Sequence, residues 1–302
     1  FSSLQANELK QSLYDDYSTG SLTLRYAVTI SSCLALCRVV IERKFGILDI
    51  YNILILLVCA AISARILIFQ SAFFFAFVFL SSRLRDSSLV KKVTRVRVYF
   101  FASLAVLALV GFTYARSAGT YERQLGISNP FAVTAAEFGR YLGMPIQVTF
   151  GVASMMLASD VVDDVQPNLL FLAPSFVHPT EWKLDHSGGV GEQWYAGYFD
   201  FPRTLTTNSA FALAVGRVGH WAFLLVPVAS FLYALLFYLL RRSEDVEARV
   251  AQAVILYAFF ELWRTYYFSA GSFFFLNVVM ASYIVSTFLL RRRRLVAIQH
   301  SG

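Results

Sequence analysis

Long apolar runs alternate with short charged segments along this chain, and the alternation predicts membrane-spanning helices. Seven apolar runs are candidate spans, at residues 22–41, 47–63, 65–81, 98–115, 218–240, 250–265 and 271–290. A helix needs roughly 20 apolar residues, within a range of about 17–25, to cross the hydrocarbon core of a bilayer. The runs at 47–63, 65–81 and 250–265 lie at or just below that range. The pattern predicts an all-α, polytopic transmembrane bundle of about seven spans.

The Lys and Arg residues of the short links predict how the bundle is oriented. Basic residues follow spans one, three and five and fill the tail: Arg38, Arg43, Lys44; Arg83, Arg85, Lys91, Lys92, Arg95, Arg97; Arg241, Arg242, Arg249; and Arg291 to Arg294. The positive-inside rule assigns such links to the cytoplasm, and seven spans put all four on one side. The predicted organisation is an outer segment 1–21, four spans in 22–115, a large outer loop 116–217, three spans in 218–290 and a cytoplasmic tail 291–302.

The outer loop 116–217 carries an apolar stretch of its own. Its middle, 142–159 (LGMPIQVTFGVASMMLAS), is interrupted by glycines and by Pro145. A full crossing here would place the basic tail outside the cytoplasm, so we expect an interfacial or re-entrant helix. The acidic cluster DVVDD at 160–164 follows it. We interpret this cluster as a solvated acidic turn, with metal binding as the alternative.

The composition supports a membrane protein and argues against a nucleic-acid partner. Hydrophobic residues make up 57% of the chain and charged residues 15%, whereas a soluble domain carries roughly 25% charged residues. The net charge of +7 arises from basic links between apolar runs, which is a topology signal. The cysteines Cys33, Cys37 and Cys59 lie within apolar runs, so we interpret them as small buried hydrophobes. The chain starts at Phe1 without Met, and we expect a fragment that lacks upstream helices.

Four arginines are expected at the outer membrane surface, against the positive-inside bias. They are Arg65, Arg203, Arg217 and Arg264. A single arginine at a helix end can lift its guanidinium into water, which is the simplest explanation for any one of them. Four converging guanidinium groups would instead form an anion site, because their planar forks match phosphate oxygens and keep their charge. We favour the anion site for the four together.

Other ionisable and aromatic side chains accompany these arginines. If a helix begins near Phe211, His220 lies on the same face as Arg217. Such a histidine is either a hydrogen-bonded structural residue or a group that transfers protons or contacts phosphate. Glu261 lies three residues before Arg264, and we expect a simple ion pair between them. The loop residues Trp194 and Tyr195 suit either a membrane-interface belt or stacking on sugars.

The arrangement resembles the oligosaccharide repeat-unit polymerases, the O-antigen polymerase type of bacterial inner membranes. The resemblance rests on Arg65 opening a short span in ISAR, on the large outer loop, and on the stretch TTNSAFALAVGRVGHWAFLLVPVASFLYALLFY. The family typically has Thr-Asn-aromatic, a helix, and then an acidic-Phe-Gly-x-x-Gly turn. Here Thr207, Asn208 and Phe211 match the first part, whereas Val-Gly-Arg replaces Asp-Phe-Gly in the turn. The implied fold is similar to that of C-type glycosyltransferases.

The resemblance implies glycosyl transfer between polyprenyl-diphosphate-linked oligosaccharides at the periplasmic face of the inner membrane. A sugar hydroxyl of the acceptor attacks the anomeric carbon of the donor chain, and the lipid diphosphate leaves. The family implies no metal and no cofactor, because arginines hold the diphosphate. The partners are the lipid-linked oligosaccharide and membrane lipids, and the resemblance allows a chain-length regulator. The product is a lipopolysaccharide, a capsule or an exopolysaccharide.

Site residues follow from the same resemblance and from the charge pattern. The expected catalytic residues are Arg65, Arg203, Arg217 and His220. Expected substrate-binding residues are Arg140, His178, His186, Trp194, Tyr195, Asn208, Glu261 and Arg264. Candidates for the general base are His220, His178, His186 and Glu261, in that order.

Two other functions remain open at this point. An O-antigen ligase shares the architecture but transfers the glycan to a lipid A core, and the sequence does not show the acceptor. A transporter for lipid-linked or small solutes would favour inverted repeats and charges near the bilayer midplane. We find no internal repeat, and the charges collect at one face. This distribution favours an enzyme that acts on an amphiphile.

Overall fold

The computed structural model describes residues 26–42, 44–62, 66–85, 92–158, 209–241, 245–269, 273–282 and 285–286. This part of the chain is helical and contains no strand. Its nine α-helices are α1 (Ala27–Cys37), α2 (Ile47–Ile62), α3 (Ile66–Arg85), α4 (Lys92–Leu125), α5 (Pro130–Ala158), α6 (Ala210–Val218), α7 (Ala222–Leu240), α8 (Val246–Phe260) and α9 (Phe273–Ser282). A π-helical turn, Arg38–Glu42, extends α1, and 3₁₀ turns occupy Gly219–Trp221 and Tyr267–Ser269. The predicted all-α class is confirmed.

One described helix is long and apolar enough to cross a bilayer. It is the segment Gly219–Leu240, of 22 residues, and only 6% of its most apolar stretch is buried within the chain. A second candidate pairs Ala102–Ala115 with Ser117–Arg123, and the two parts are bent by 57° relative to each other. Four other apolar helices are shorter, at Ala27–Val40, Ile47–Ala60, Ile66–Ser81 and Phe273–Ser282. The full count of seven spans stays a prediction.

Large apolar side chains are exposed on the surface of α7. Phe223, Phe231 and Leu232 are 63%, 67% and 58% exposed. The core helix of a water-soluble protein buries such side chains, because each contributes roughly 1.5–3 kcal/mol when it leaves water. Exposure along most of the helix is typical of contact with lipid instead.

Two helices extend beyond the sequence prediction. The fourth span was predicted to end at residue 115, but α4 continues to Leu125. Gly126 ends it at a φ of 65°, and its N–H donates to the carbonyl of Glu122 at 3.0 Å, as in an αL C-cap. The apolar stretch 142–159 was expected to form a short helix, and it is the second half of the 29-residue helix α5. Much of the first half of the predicted loop is therefore helical.

The start of α5 is fixed by local capping. Asn129 accepts hydrogen bonds on its side-chain oxygen from the N–H groups of Phe131 at 2.9 Å and Ala132 at 3.2 Å. Pro130 occupies the first helical position, where its missing N–H costs nothing. Gly126 and the Asn129-Pro130 pair thus specify a tight turn between α4 and α5.

The chain divides into two compact units, which we describe separately. Of the described residues, the first unit contains 110–158, 209–236, 255–269 and 273–274. The second contains 26–42, 44–62, 66–85, 92–109, 237–241, 245–254, 275–282 and 285–286. In the second unit α1 packs against both α2 and α3. There the N–H of Gly46 donates to the carboxylate of Asp49 at 2.9 Å, and this carboxylate lies 3.5 Å from the guanidinium of Arg38. The hydrogen bond from Gly46 caps the start of α2.

A glycine separates α6 from the apolar helix α7. Gly219 has φ 57° and ψ −139°, a conformation that residues with a Cβ rarely adopt. The break corrects one expectation: α6 does begin near Phe211, at Ala210, but it ends at Val218 and His220 belongs to the 3₁₀ turn. Arg217 and His220 are therefore not on one face of one helix, because the helical register is interrupted between them.

Replacing this glycine tests the break directly. We expect Gly219→Ala to lower the free energy of unfolding by about 1–3 kcal/mol, because the alanine Cβ is strained at that φ and ψ. Thermal unfolding of the purified protein in detergent measures the effect. Gly111→Ala is the matched control, since Gly111 lies within α4 and a Cβ built there meets nothing within 4 Å. Equal melting temperatures for the two variants would contradict the assignment.

Candidate functional site

Five of the predicted site residues lie in the described part of the chain, all in the first unit. They are Arg140, Arg217, His220, Glu261 and Arg264. The other predicted site residues lie outside the described residues, and they are Arg65, His178, His186, Trp194, Tyr195, Arg203 and Asn208. Convergence of the four outer arginines therefore stays a prediction.

The turn after α8 builds an ion pair. The carbonyl of Glu261 accepts the backbone N–H groups of Arg264 at 2.9 Å and Thr265 at 2.8 Å, which folds the chain back on itself. The Nε and Nη2 atoms of Arg264 lie 2.7 Å and 2.6 Å from Oε2 of Glu261. The hydroxyl of Tyr257 donates to Oε1 of the same carboxylate at 2.6 Å. The expected ion pair is present, although it sits in a turn and not on a helix as predicted.

Aromatic rings enclose this ion pair. Glu261 is 7% exposed, and the guanidinium carbon of Arg264 lies 5.3 Å from the ring centre of Tyr141 on α5. Tyr267 packs edge-on against Tyr257 with ring centres 5.6 Å apart. A cation over an aromatic face is stabilised by the ring quadrupole, more strongly where water is excluded. The contact fixes the turn after α8 against α5.

A second polar cluster lies between α4 and α5. The hydroxyl of Tyr121 donates to Oε2 of Glu137 at 2.6 Å. Arg140 also interacts with the Tyr121 hydroxyl. Glu137 and Arg140 are one helical turn apart, so both reach the same ring on the facing helix. The helix α5 therefore carries the predicted residue Arg140 in one cluster and the neighbouring residue, Tyr141, in the other.

A chain of hydroxyl hydrogen bonds ties α5 to the start of α6. The hydroxyl of Thr149 donates to the carbonyl of Pro145 at 2.8 Å and lies 2.6 Å from the hydroxyl of Ser209. Because the single proton of Thr149 is used on Pro145, Ser209 is the donor between them. The Ser209 oxygen in turn accepts the N–H of Ala212 at 3.3 Å. Ser209 is the N-cap of α6 and helps to orient the helix that carries Arg217.

The segment from Arg217 to Trp221 connects two ionisable residues to the start of the apolar helix α7. Arg217 is the last but one residue of α6, and the side chain of His220 is exposed in the following 3₁₀ turn. The exposed apolar helix α7 begins two residues later, at Ala222. Phe211 and Phe223 pack edge-on across the break, with ring centres 5.8 Å apart. The chain thus places these two residues at the end of the helix that can cross a bilayer.

Sequence reasoning missed Tyr121, Glu137, Tyr141 and Tyr257, which complete the two clusters. A local signal existed for Tyr257, which lies four residues before Glu261. No local signal links Tyr141 to Arg264, because their contact joins distant parts of the chain. Among the described residues, no three His, Cys, Asp or Glu side chains are grouped closely enough to hold a metal ion. The acidic cluster at 160–164 lies outside those residues.

Comparisons with known proteins do not assign the chain to a family. No family model, no curated protein and no solved structure matches it. The resemblance to oligosaccharide repeat-unit polymerases therefore stays a prediction.

Proposed function

We propose that this chain is a polytopic inner-membrane glycosyltransferase, a polymerase that joins polyprenyl-diphosphate-linked oligosaccharide repeat units at the periplasmic face. One observation supports the proposal more than any other. Arg217 and His220 flank the glycine break that precedes the exposed apolar helix α7. A lipid-anchored diphosphate lies at the headgroup level, so residues that bind it must lie at a membrane boundary of this kind.

The reaction needs positive charge where the diphosphate leaves. The acceptor hydroxyl oxygen forms a bond to the anomeric carbon, and the bond from that carbon to the diphosphate oxygen breaks. Negative charge then grows on the leaving diphosphate. Guanidinium groups held in place beforehand stabilise this charge more in the transition state than in the ground state. We assign this role to Arg217, together with Arg65 and Arg203.

The acceptor hydroxyl also loses a proton as it attacks. His220 is the first candidate for the base, because its exposed imidazole lies in the turn beside Arg217. Histidine is the side chain that most often serves as a general base in enzymes. Glu261 is a weaker candidate, because both of its carboxylate oxygens already accept hydrogen bonds from Tyr257 and Arg264.

The ion pair gives Arg264 a different role from the other arginines. Glu261 balances the charge of Arg264, and the side chain of Arg264 is 11% exposed. Its Nη1 donates to no residue in the described part of the chain. Arg264 is thus a guanidinium that Glu261 holds in a fixed orientation. We propose that Arg264 donates a hydrogen bond to a neutral sugar oxygen, whereas Arg217 binds the charged diphosphate.

Deleting the gene from the source bacterium and restoring it tests the proposal. We expect the deletion to leave a single capped repeat unit, seen as one short band in place of a ladder on a glycan gel. Loss of polymer without loss of the capped unit is the mark of a missing polymerase. Restoring the intact gene should restore the ladder. Loss of every capped band would contradict the proposal and indicate a ligase, and an unchanged ladder would exclude both activities.

A further inference from the structure

The second unit contains an apolar groove that the proposed reaction does not use. Its volume is about 740 Å³, within the range of ligand pockets. The helices α2, α3 and α4 supply most of its lining, with Leu36 of α1 at one side. Of the described residues that line it, only Ser71 and Tyr99 carry a hydroxyl, and none is charged. An uncharged groove of this size suits a hydrocarbon chain.

The length of the groove matches one leaflet of a bilayer. Along α3 the lining runs from Ile68 to Leu80, which is about 18 Å at the rise of an α-helix. Half of a bilayer's hydrocarbon core is about 15 Å thick. Small side chains make room for a ligand on both helices, Ala72 and Ala76 on α3 and Ala102 on α4. An apolar space of this size would lose many dispersion contacts if nothing filled it.

One end of the groove lies beside Arg249 and close in sequence to several basic positions. The side chain of Arg249 on α8 donates from Nη1 to the hydroxyl of Ser81 at 3.3 Å, and Ser81 directly follows the lining residue Leu80. The neighbouring helix ends are also rich in basic positions, namely Arg83 and Arg85 in the last turn of α3 and Lys92, Arg95 and Arg97 in the first turns of α4. Each Lys or Arg near an anionic membrane surface contributes roughly 1 kcal/mol of attraction.

We propose that this groove binds one acyl chain of an anionic phospholipid from the cytoplasmic leaflet, with the phosphate headgroup at Arg249. The basic end of the groove is the end that the positive-inside rule assigns to the cytoplasm. The proposed glycosyl transfer takes place at the opposite face. The ligand is therefore a bilayer phospholipid and not the polyprenyl chain of the substrate. The inference rests on the proposed membrane location and orientation, and the choice of a phospholipid over the polyprenyl chain rests on the proposed face of the reaction.

Photolabelling of the purified full chain in detergent tests the site. The probe is phosphatidylglycerol with a diazirine in its acyl chain, and peptide mass spectrometry locates the label. We expect the label on residues 68–80 and 99–109. Phosphatidylcholine with the same chain should label these residues at least about fivefold less, and excess polyprenyl phosphate should not displace the label. Equal labelling by both phospholipids, label spread evenly over α7, or displacement by polyprenyl phosphate would overturn the proposal.

Matched variants separate the groove from the headgroup site. Ala76→Trp fills the groove and should abolish the label, whereas Leu107→Trp should keep it, because Leu107 is 61% exposed on α4 and does not line the groove. Arg249→Gln should lower phosphatidylglycerol labelling about fivefold, and the exposed Arg123→Gln should not change it. If Ala76→Trp fails to fold, Arg249→Gln decides alone. Unchanged labelling in that variant would overturn the headgroup assignment. Polymer production plays no part in these readouts.

Discussion

Polymer production should fall by about 10²–10³-fold when Arg217 is replaced by alanine. The physical reason is the loss of a positive charge where the leaving diphosphate gains negative charge, at a boundary where little water can replace it. Arg65→Ala should have an effect of the same size. The measurement is the amount of polymer made by a deletion strain that carries each variant. Membrane abundance, followed on immunoblots, should equal that of the intact protein.

Two controls distinguish this role from a general effect of charge. Arg217→Lys keeps the charge but loses the paired N–H donors, so polymer should be reduced less than in the alanine variant. Arg123→Ala removes an exposed arginine from the end of α4, where its Nε donates only to the carbonyl of Gly119 among described groups, and polymer should stay unchanged. Full-length polymer from both Arg217→Ala and Arg65→Ala would exclude the proposed site.

Replacing Arg264 by alanine should destabilise the protein by about 3–5 kcal/mol. The substitution leaves the Glu261 carboxylate, 7% exposed, without the cation that balances it. It also removes the cation–π contact with Tyr141. The measurement is the free energy of unfolding of the purified protein, from a denaturant titration in mixed micelles. The destabilisation should appear as low membrane abundance in cells, in contrast to Arg217→Ala.

A double substitution tests whether the ion pair is the cause. Glu261→Leu combined with Arg264→Leu removes both charges, and it should recover most of the lost stability, because no unpaired charge remains buried. Tyr257→Phe removes a single hydrogen bond to the carboxylate, which should cost about 1–3 kcal/mol. If the double variant were as unstable as Arg264→Ala, the loss would come from packing and not from the charge.

The apolar runs of the sequence were enough to locate most helices. Each predicted span overlaps a described helix, because a long run of apolar residues predicts a helix that is buried or crosses a membrane. The spacing of Glu261 and Arg264 was also enough to predict their ion pair. These features depend on residues close together in the chain. The number of spans is a different matter. Four of the described apolar helices are shorter than 18 residues, so apolar runs alone do not show which of them cross a bilayer.

Other features of the structure were not predicted. Some had a local sequence signal that was overlooked, and others depend on tertiary contacts. Gly126 and Asn129-Pro130 are strong signals for the end of α4 and the start of α5, yet the polar residues 116–125 were interpreted as loop. The break at Gly219 was missed because a glycine near a helix end fits either continuation or termination. The contact of Tyr141 with Arg264 joins two distant segments, and no periodicity within either segment encodes it.

The contact between Thr149 and Ser209 has a consequence for how such a protein can diversify. It fixes the point where the chain returns after residues 159–208, close to the helix from which it departed. An insertion or deletion between these two residues can therefore leave the start of α6 in place, as long as the contact between Thr149 and Ser209 is kept.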